Sequence, residues 1–589
     1  MPETVIDAFR GTVAATPDKI AFRTLDEDAV AWTWREVGER AEAIAKGLHE
    51  LGVSGGDQIA LMLTNRPEFH VCDLAGILLG AATLSVYNTL APEQLVYLLD
   101  DAGASVIIAE QAFLPVIRQV REQLARPVEV VVVDGEPGPG ELSLDEVMDR
   151  GRASTYDLEE ASAAIGADTV VTLIYTSGTT GDPKGVQLTH RNILAAYEGA
   201  DGRVTMPDDA RVISWLPAAH IAERMAHHYL PLRHGIEVTC CPDPRRIAEY
   251  LPQVRPTWFF AVPRVWEKLK SAVEAKLASI PGEQGEQIRA ALAAAVQKVK
   301  LEQSRQPVPT ELAAAVEQAD AAIFAGIRRQ LGLDRIDVAN VGASPTPPEV
   351  LEFFHAIGVP VSEIWGMSET AGLGASNPIE DIRIGTVGRA PDNVRLKLGE
   401  DGELLVKSDV VTPGYRNLPE KNRETIVDGW LHTGDIATID DDGYVRIIDR
   451  KKELIISSGG KNMSPALIES RLTTASPLIG QAVAIGDGRP YNTALIVLDP
   501  DALPVWARAH GIDGATPAEL AGDEQLLAEI DAAVQAANAR LSRVEQIKKY
   551  TVLAEEWLPA SDELTPTMKL RRRPIEAKYR TQIDAMYAP

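Results

Sequence analysis

The chain has 589 residues, 45% hydrophobic and 24% charged: too long for one core at roughly 150 residues per domain, and too apolar for extended disorder. Its 58 Lys and Arg against 85 Asp and Glu leave a formal charge of −27, which disfavours unspecific binding to nucleic acid or an anionic membrane. The three cysteines, Cys72, Cys240 and Cys241, exclude a disulfide scaffold and fit a reducing cytosol, and no basic-then-apolar leader opens the chain.

The first 190 residues alternate amphipathic segments, such as Trp34 to Leu51, with short runs rich in Val, Ile and Leu: Gln58 to Leu63, Ser105 to Ala109 and Val128 to Val133. That alternation predicts an α/β unit whose parallel sheet is covered on both faces, continued by Arg211 to Leu216 and Ile236 to Cys240. The longest uncharged apolar stretch, about Leu74 to Tyr87, is too short to span a bilayer and reads as a buried helix leading into a strand. From about 265 to 335 the composition shifts to Ala, Glu, Gln, Lys and Arg, a helical insertion broken at Pro281 and around Pro307 to Pro309. A β-rich subdomain follows at about 385–449, with hairpins at Asp401-Gly402 and Asp442-Gly443; the acids Asp440 to Asp442 read as a solvated turn. The charged run Asp449-Arg450-Lys451-Lys452 marks the boundary between a large unit, 1–449, and a smaller α+β lid, 450–589, with a second helical patch at Pro517 to Val544.

The most informative run is Tyr175-Thr176-Ser177-Gly178-Thr179-Thr180-Gly181-Asp182-Pro183-Lys184-Gly185, directly after the apolar stretch Val170 to Ile174. Glycines let backbone N–H groups approach phosphate oxygens, hydroxyls add donors, and Lys184 adds charge. It is not a P-loop, because Gly185 stands where Ser or Thr belongs. Taken alone, a surface loop rich in small polar residues is the simpler reading. His220, His227, His228, His234, Cys240 and Cys241 form no C-x-x-C pair and no H-E-x-x-H, so no zinc site is expected.

The complete string resembles the phosphate loop of the adenylate-forming superfamily: acyl-CoA synthetases, luciferases and nonribosomal adenylation domains. The same family's motifs follow in order: Gly342-Ala343-Ser344-Pro345, Glu363-Ile-Trp365-Gly366-Met367-Ser368-Glu369-Thr370, Thr433-Gly-Asp435, Asp449-Arg450-Lys451-Lys452, Ser458-Gly459-Gly460-Lys461 and Pro566-Thr-Met-Lys569. Together they cover about residues 20 to 575. Within the family, bacterial long-chain fatty acid–CoA ligases are the most similar. Trp215-Leu-Pro-Ala-Ala-His220-Ile-Ala-Glu-Arg224 and Val262-Pro-Arg-Val-Trp-Glu-Lys268 resemble their signatures, and the helical insertion suits that branch. Trp365 departs from the Tyr of many relatives while keeping an aromatic face.

The resemblance implies doubly wound sheets with a small β-barrel-like subdomain and a mobile C-terminal α+β domain. It implies two steps: a fatty acid carboxylate attacks the α-phosphorus of ATP to give acyl-AMP and pyrophosphate, then coenzyme A displaces AMP. Thr176, Ser177, Gly178, Thr179, Thr180, Gly181 and Lys184 would hold the ATP phosphates. Trp365, with Gly366, Met367 and Ser368 after it, would lie against adenine, opposite Gly342, Ala343 and Ser344. Glu369 would help hold Mg²⁺, a hard ion suited to carboxylate and phosphate oxygens. Asp435 would accept from the ribose hydroxyls, Arg450 would reach ribose or phosphate, and Asp449 would be the hinge, or else part of a plain exposed linker. Lys569, on the lid, would serve the adenylation transition state, or else be one of several solvated cations with Arg571, Arg572 and Arg573. Gly459 and Gly460 would line the pantetheine path in a second lid orientation. His220 would stand beside the acyl pocket, with a buried, hydrogen-bonded histidine as the competing reading.

Two further functions stay open at this level. An acyl-AMP ligase would hand the acyl group to a carrier-protein pantetheine; such enzymes resemble this chain but typically carry an insertion in the large domain, none is clear here, and the helices of 270–335 keep that alternative in play. A binding protein that sequesters fatty acid or nucleotide would carry a broken motif, whereas Lys184, Glu369, Asp435, Arg450 and Lys569 are all present. The expected partners are small molecules, with no nucleic acid. The expected place is the cytoplasm, with transient membrane-surface contact compatible with long acyl substrates.

Overall fold

The computed structural model describes residues 2–588 apart from 27–28, 177–181, 205, 457–461, 513, 559–560 and 566–567. The first sheet has seven strands in the order Leu142–Ser143, Glu129–Val132, Ala104–Ala109, Gln58–Met62, Ala82–Ser85, Val170–Thr176 and Lys184–Thr189. Every neighbouring pair is parallel except the last. Alternate residues of a strand face opposite ways, so Ile59, Leu61, Val106 and Ile108 enter one buried cluster while Ala60, Met62, Ile107 and Ala109 enter another. Burial on both faces is why these strands read as continuous apolar runs.

The helix Pro67–Leu79 is buried on nearly every side. Pro67 opens it, where a missing N–H costs nothing, and Gly80 closes it at φ 72°. The chain then enters the strand Ala82–Ser85, as the uncharged stretch predicts. A four-stranded sheet follows in the order Arg211–Ser214, Glu237–Cys240, Ile20–Arg23 and Ala31–Thr33; another runs Trp258–Ala261, Val338–Val341, Val361–Trp365 and Ala375–Ser376. The helices Pro263–Ala278, Gly282–Gln303, Thr310–Ala319 and Ala325–Leu331 form the crossover between the neighbouring parallel strands Trp258–Ala261 and Val338–Val341.

Both Asp-Gly sites are antiparallel hairpins in a five-stranded sheet built from Arg395–Leu398, Glu403–Lys407, Ile426–Val427, Trp430–Ile439 and Val445–Arg450. The Asp440–Asp442 turn is more than solvated. Arg383, from a distant loop, reaches Asp440 at 3.2 Å and Asp442 at 2.8 Å, because the subdomain folds back over that loop.

The apolar cluster of the large unit ends at Val445 and a separate one begins at Ile455. In the C-terminal part, Ile479–Ile485, Asn492–Leu498 and Ile547–Leu553 form a three-stranded sheet. Ala482, Ala494 and Ile496 pack under the helices Pro465–Ala475 and Glu524–Asn538; Val483, Leu495 and Val497 face Trp557, Ile575 and Tyr579. Among the described residues, no helix is long and apolar enough to cross a membrane.

Candidate active site

One cleft of 2010 Å³ opens between the two parts of the chain. It is lined by Thr176, Lys184, His220, Gly342, Ala343, Ser344, Trp365, Gly366, Met367, Ser368, Glu369, Asp435, Asp449, Arg450 and Lys569, so residues nearly 400 positions apart meet there. Ser177, Gly178, Thr179, Thr180, Gly181, Gly459 and Gly460 lie outside the described residues. Thr176 ends one strand and pairs with Lys184 at the start of the next, which sets both ends of the glycine loop at the cleft.

Trp365 ends its strand, 9% exposed as a residue, with its indole N–H donating to Asp435 Oδ2 at 2.8 Å. The chain folds tightly behind it. A Cβ on Gly374 would fall 2.2 Å from the Trp365 ring, and one on Gly366 would fall 2.1 Å from the Gly372 carbonyl oxygen. Ala343 holds φ 72°, a left-handed conformation that is costly for a residue with a Cβ, at the cleft wall.

Asp435 is buried and sits opposite Arg450 in the antiparallel pair, with its Oδ1 at 2.7 Å from the Arg450 Nε. Burial pushes the Asp435 pKa up, while Arg450, the Trp365 N–H and Lys569 oppose that rise. Both oxygens therefore have one donor each, and each keeps a second lone pair for a ligand hydroxyl. Lys569 stands at the turn of a small hairpin, where its N–H donates to Thr565 Oγ1 at 3.0 Å. Its side chain keeps access to the open cleft, yet surrounding protein and the Arg450 charge hold its pKa below the ordinary value; Asp435, Glu453 and Glu369 pull it back up. Two cations thus face each other across one carboxylate, and an arriving anion relieves their repulsion.

Glu369 is 7% exposed, and its Oε1 accepts the Tyr415 hydroxyl at 2.8 Å. Lys184 lies 5.4 Å over the Tyr415 ring, within cation–π range, and burial together with Lys421 lowers its pKa. The buried carboxylate beside a cleft is an oxygen donor of the kind Mg²⁺ takes. Asp449 is no exposed linker. Its Oδ2 accepts from Ser464 Oγ at 2.5 Å and from the Ala466 N–H at 3.2 Å, capping the helix Pro465–Ala475, and its Oδ1 accepts from the Arg450 N–H at 2.7 Å. Nor is Arg572 a free cation: it pairs with Glu469 through both nitrogens, at 2.6 and 2.8 Å.

His220 caps the short helix Ile221–Arg224, its Nδ1 accepting the Ala222 N–H at 3.1 Å. Burial and Lys569 push its pKa down to about 3, so the ring is neutral and Nε2 carries the proton. The next two motif residues carry charge into the core. Glu223 accepts from Ser214 Oγ at 2.6 Å and the Leu216 N–H at 3.0 Å. Arg224, fully buried, pairs with Asp73 and donates to Ser85 Oγ at 2.9 Å. Burial opposes the Asp73 charge, but Arg224 and His228 outweigh it and hold its pKa low. Besides His220, the cleft is lined by the apolar Ile221, Met225, Leu230, Phe260 and Val262.

Two cleft residues escape sequence reasoning. Tyr415 has no motif signal; its position depends on the chain returning beside Gly185, where the Arg416 N–H donates to the Gly185 carbonyl at 2.8 Å. Glu363 stands two residues before Trp365 inside a recognised motif, but only its burial reveals it. Burial raises its pKa to about 7, against backbone N–H donors from Gly385 and Thr346.

A family model for AMP-binding enzymes matches residues 9–416, and one for the AMP-binding enzyme C-terminal domain matches 452–589. Fatty-acid–CoA ligase fadD11 of Mycobacterium tuberculosis is 46% identical over 452 residues, 76% of this chain and 79% of that protein. Long-chain-fatty-acid–CoA ligase FadD15 of Mycobacterium bovis is 34% identical over 578 residues, 97% of this chain and 95% of that one. Among solved structures, the adenylation domain of a carboxylate reductase from Mycobacterium chelonae has TM-score 0.76 at 22% identity, covering 100% of this chain and 91% of that one. A Mycobacterium tuberculosis fatty acyl CoA synthetase has TM-score 0.62 at 22% identity, covering 98% and 99%. At such identities these neighbours attest the fold: a large N-terminal domain and a smaller C-terminal one.

Proposed function

Because the chain belongs to the AMP-binding enzyme family, we propose that it is a long-chain fatty acid–CoA ligase, forming acyl-AMP from ATP and a fatty acid and then the coenzyme A thioester. The observation that carries this reading is the two-part cleft. A charged cluster of Lys184, Glu369, Asp435, Arg450 and Lys569, with the neutral His220 near Lys569, shares the cleft with apolar lining residues. A nucleotide suits the first part and an acyl chain the second. The named relatives are fatty-acid and long-chain-fatty-acid CoA ligases, which agrees with it.

In the first step a carboxylate oxygen bonds to the α-phosphorus and the bond to the bridging oxygen of pyrophosphate breaks. Both reactants are anions, so the protein's task is positioning and charge neutralisation. Asp435 accepts the ribose hydroxyls on its remaining lone pairs, and Trp365 packs along the base. Lys184 meets the leaving pyrophosphate, and Lys569 meets the carboxylate and α-phosphate from the lid. His220 offers its Nε2–H to a carboxylate oxygen at the mouth of the acyl channel. Mg²⁺, held by Glu369, would neutralise phosphate charge. In the second step the thiol sulfur bonds to the acyl carbonyl carbon, the thiol proton is lost, and AMP leaves. That step belongs to another orientation of the lid, turning at Asp449, with Gly459 and Gly460 beside the pantetheine arm.

A series of saturated acids of increasing length, with ATP, Mg²⁺ and coenzyme A, tests the reading when pyrophosphate and acyl-CoA are scored separately. Acyl-CoA formed fastest from long-chain acids is expected. A pyrophosphate burst without acyl-CoA would replace this reading with transfer to a carrier-protein pantetheine.

A further inference from the structure

We propose that Glu349 and Asp499, with the cations they meet where the lid rests on the large unit, are positioning residues that hold the lid in the orientation placing Lys569 at the nucleotide end. The inference deepens the ligase reading and rests on it for its link to catalysis.

Among the described residues, and beyond the pairs that Arg450 and Lys451 make beside the chain crossing, two ion-pair clusters bridge the large unit and the lid, and their polarities are opposite. In the first, the large unit supplies cations. Arg264, in the first turn of the helix Pro263–Ala278, reaches Asp499 at 2.6 Å, and Lys268, one turn on, reaches Asp501 at 2.9 Å. In the second, the large unit supplies the anion. Glu349, in the first turn of the helix Pro348–Ala356, pairs at 2.5 Å with Arg471 on the lid helix Pro465–Ala475 and also with Arg540.

Exposure decides which of these contacts matters. Lys268 and Asp501 are 54% and 78% exposed, a class of pair that contributes little. Asp499 is 8% exposed and its Oδ1 accepts the N–H groups of Asp501 and Ala502, both at 3.0 Å; Arg471 is 16% and Glu349 24% exposed. Separating these pairs would strand partly buried charges, which is far costlier than separating exposed ones. Burial opposes the Glu349 charge, and Arg471 and Arg540 overcome it, holding its pKa below the ordinary carboxylate value.

A body held at one point can swivel. Two clusters of opposite polarity, on the neighbouring helices Pro263–Ala278 and Pro348–Ala356, together with the chain crossing at Asp449, favour one orientation in which all contacts form. In that orientation Lys569 faces Asp435, Arg450 and Glu369. Turning the lid for acyl transfer breaks both clusters together, so their strength sets the balance between the two half-reactions. Among the described residues, Glu349, Arg471 and Arg540 stand outside the cleft lining, so their effect cannot come from touching substrate.

The test uses the full chain with spin labels at Ala275→Cys and Ala509→Cys, both exposed, while the native Cys72, Cys240 and Cys241 are buried. Glu349→Arg brings three cations together. It should shift the label-to-label distance distribution and slow single-turnover acyl-AMP formation roughly tenfold, while acyl-CoA formation from supplied acyl-AMP keeps its rate or rises. Arg471→Glu with Arg540→Glu in that background should restore both. Glu349→Gln, a milder change, should shift both readouts less and in the same direction. An unchanged distance distribution overturns the proposal whether or not the protein makes acyl-CoA, and so does an equal loss in both half-reactions. A wild-type protein inactive on fatty acids would sink the ligase reading while the distances still reported on the lid.

Discussion

Tyr415→Phe isolates one hydrogen bond at the centre of the site. The hydroxyl donates to Glu369 Oε1 at 2.8 Å, with both residues 7% exposed, while the ring beneath Lys184 at 5.4 Å is kept by phenylalanine. A hydrogen bond to a charged group contributes about 1.5–3 kcal/mol, and its loss leaves a carboxylate oxygen buried without that donor. The larger consequence is geometric. Partners that orient a metal-binding carboxylate typically change metal affinity by about 10- to 100-fold when removed. Acyl-AMP formation measured against Mg²⁺ concentration should show half-saturation raised about tenfold, with most of the rate recovered at saturating Mg²⁺. Tyr415→Leu should add a loss that Mg²⁺ does not rescue, since Lys184 then loses its platform. An unchanged Mg²⁺ half-saturation in Tyr415→Phe refutes the assignment of Glu369 as the metal's carboxylate.

Glu363, with its pKa raised from 4.5 to about 7, binds its proton more tightly folded than unfolded. The stability it contributes is complete below about pH 4.5 and is lost as pH rises through about 7. Each tenfold difference in proton affinity between the folded and unfolded chain corresponds to about 1.4 kcal/mol. Glu363→Gln should flatten that slope, read as urea midpoints at about pH 5 and about pH 8; an unaltered slope contradicts the burial argument. Asp73→Ala leaves Arg224 buried and unpaired and should cost about 3–5 kcal/mol, whereas Asp73→Leu with Arg224→Met should cost less; equal losses would mean that packing matters more than charge. Trp365→Phe removes the donor to Asp435 and shortens the aromatic face, and should raise KM for ATP a few-fold while KM for fatty acid holds; the reverse split would displace Trp365 from the nucleotide end.

Local pattern made much of the architecture legible. Apolar runs between turn residues located Gln58–Met62, Ala104–Ala109 and Val170–Thr176, and Pro67 and Gly80 bracket their helix as the physics of helix ends requires. The family motifs pointed to Lys184, Glu369, Asp435, Arg450 and Lys569, which converge on one cleft. What stayed hidden depends on partners distant in sequence. Asp73 lies in an apolar helix, and nothing nearby marks it as the counter-charge of Arg224, 151 positions on. Arg264 and Asp499 are 235 positions apart. Asp440 and Asp442 read as solvated because Arg383 approaches from another loop. Strand order across sheets is likewise a long-range property: Ile20–Arg23 pairs with Glu237–Cys240, a neighbour no local pattern reveals.

Lys569→Ala, assayed in the two half-reactions separately, isolates what the lid lysine does. Acyl-AMP formation should fall by about 100-fold or more, as the role proposed for Lys569 in that transition state alone requires, while supplied acyl-AMP and coenzyme A should give acyl-CoA at the wild-type rate. Undiminished acyl-AMP formation in this variant would contradict the account.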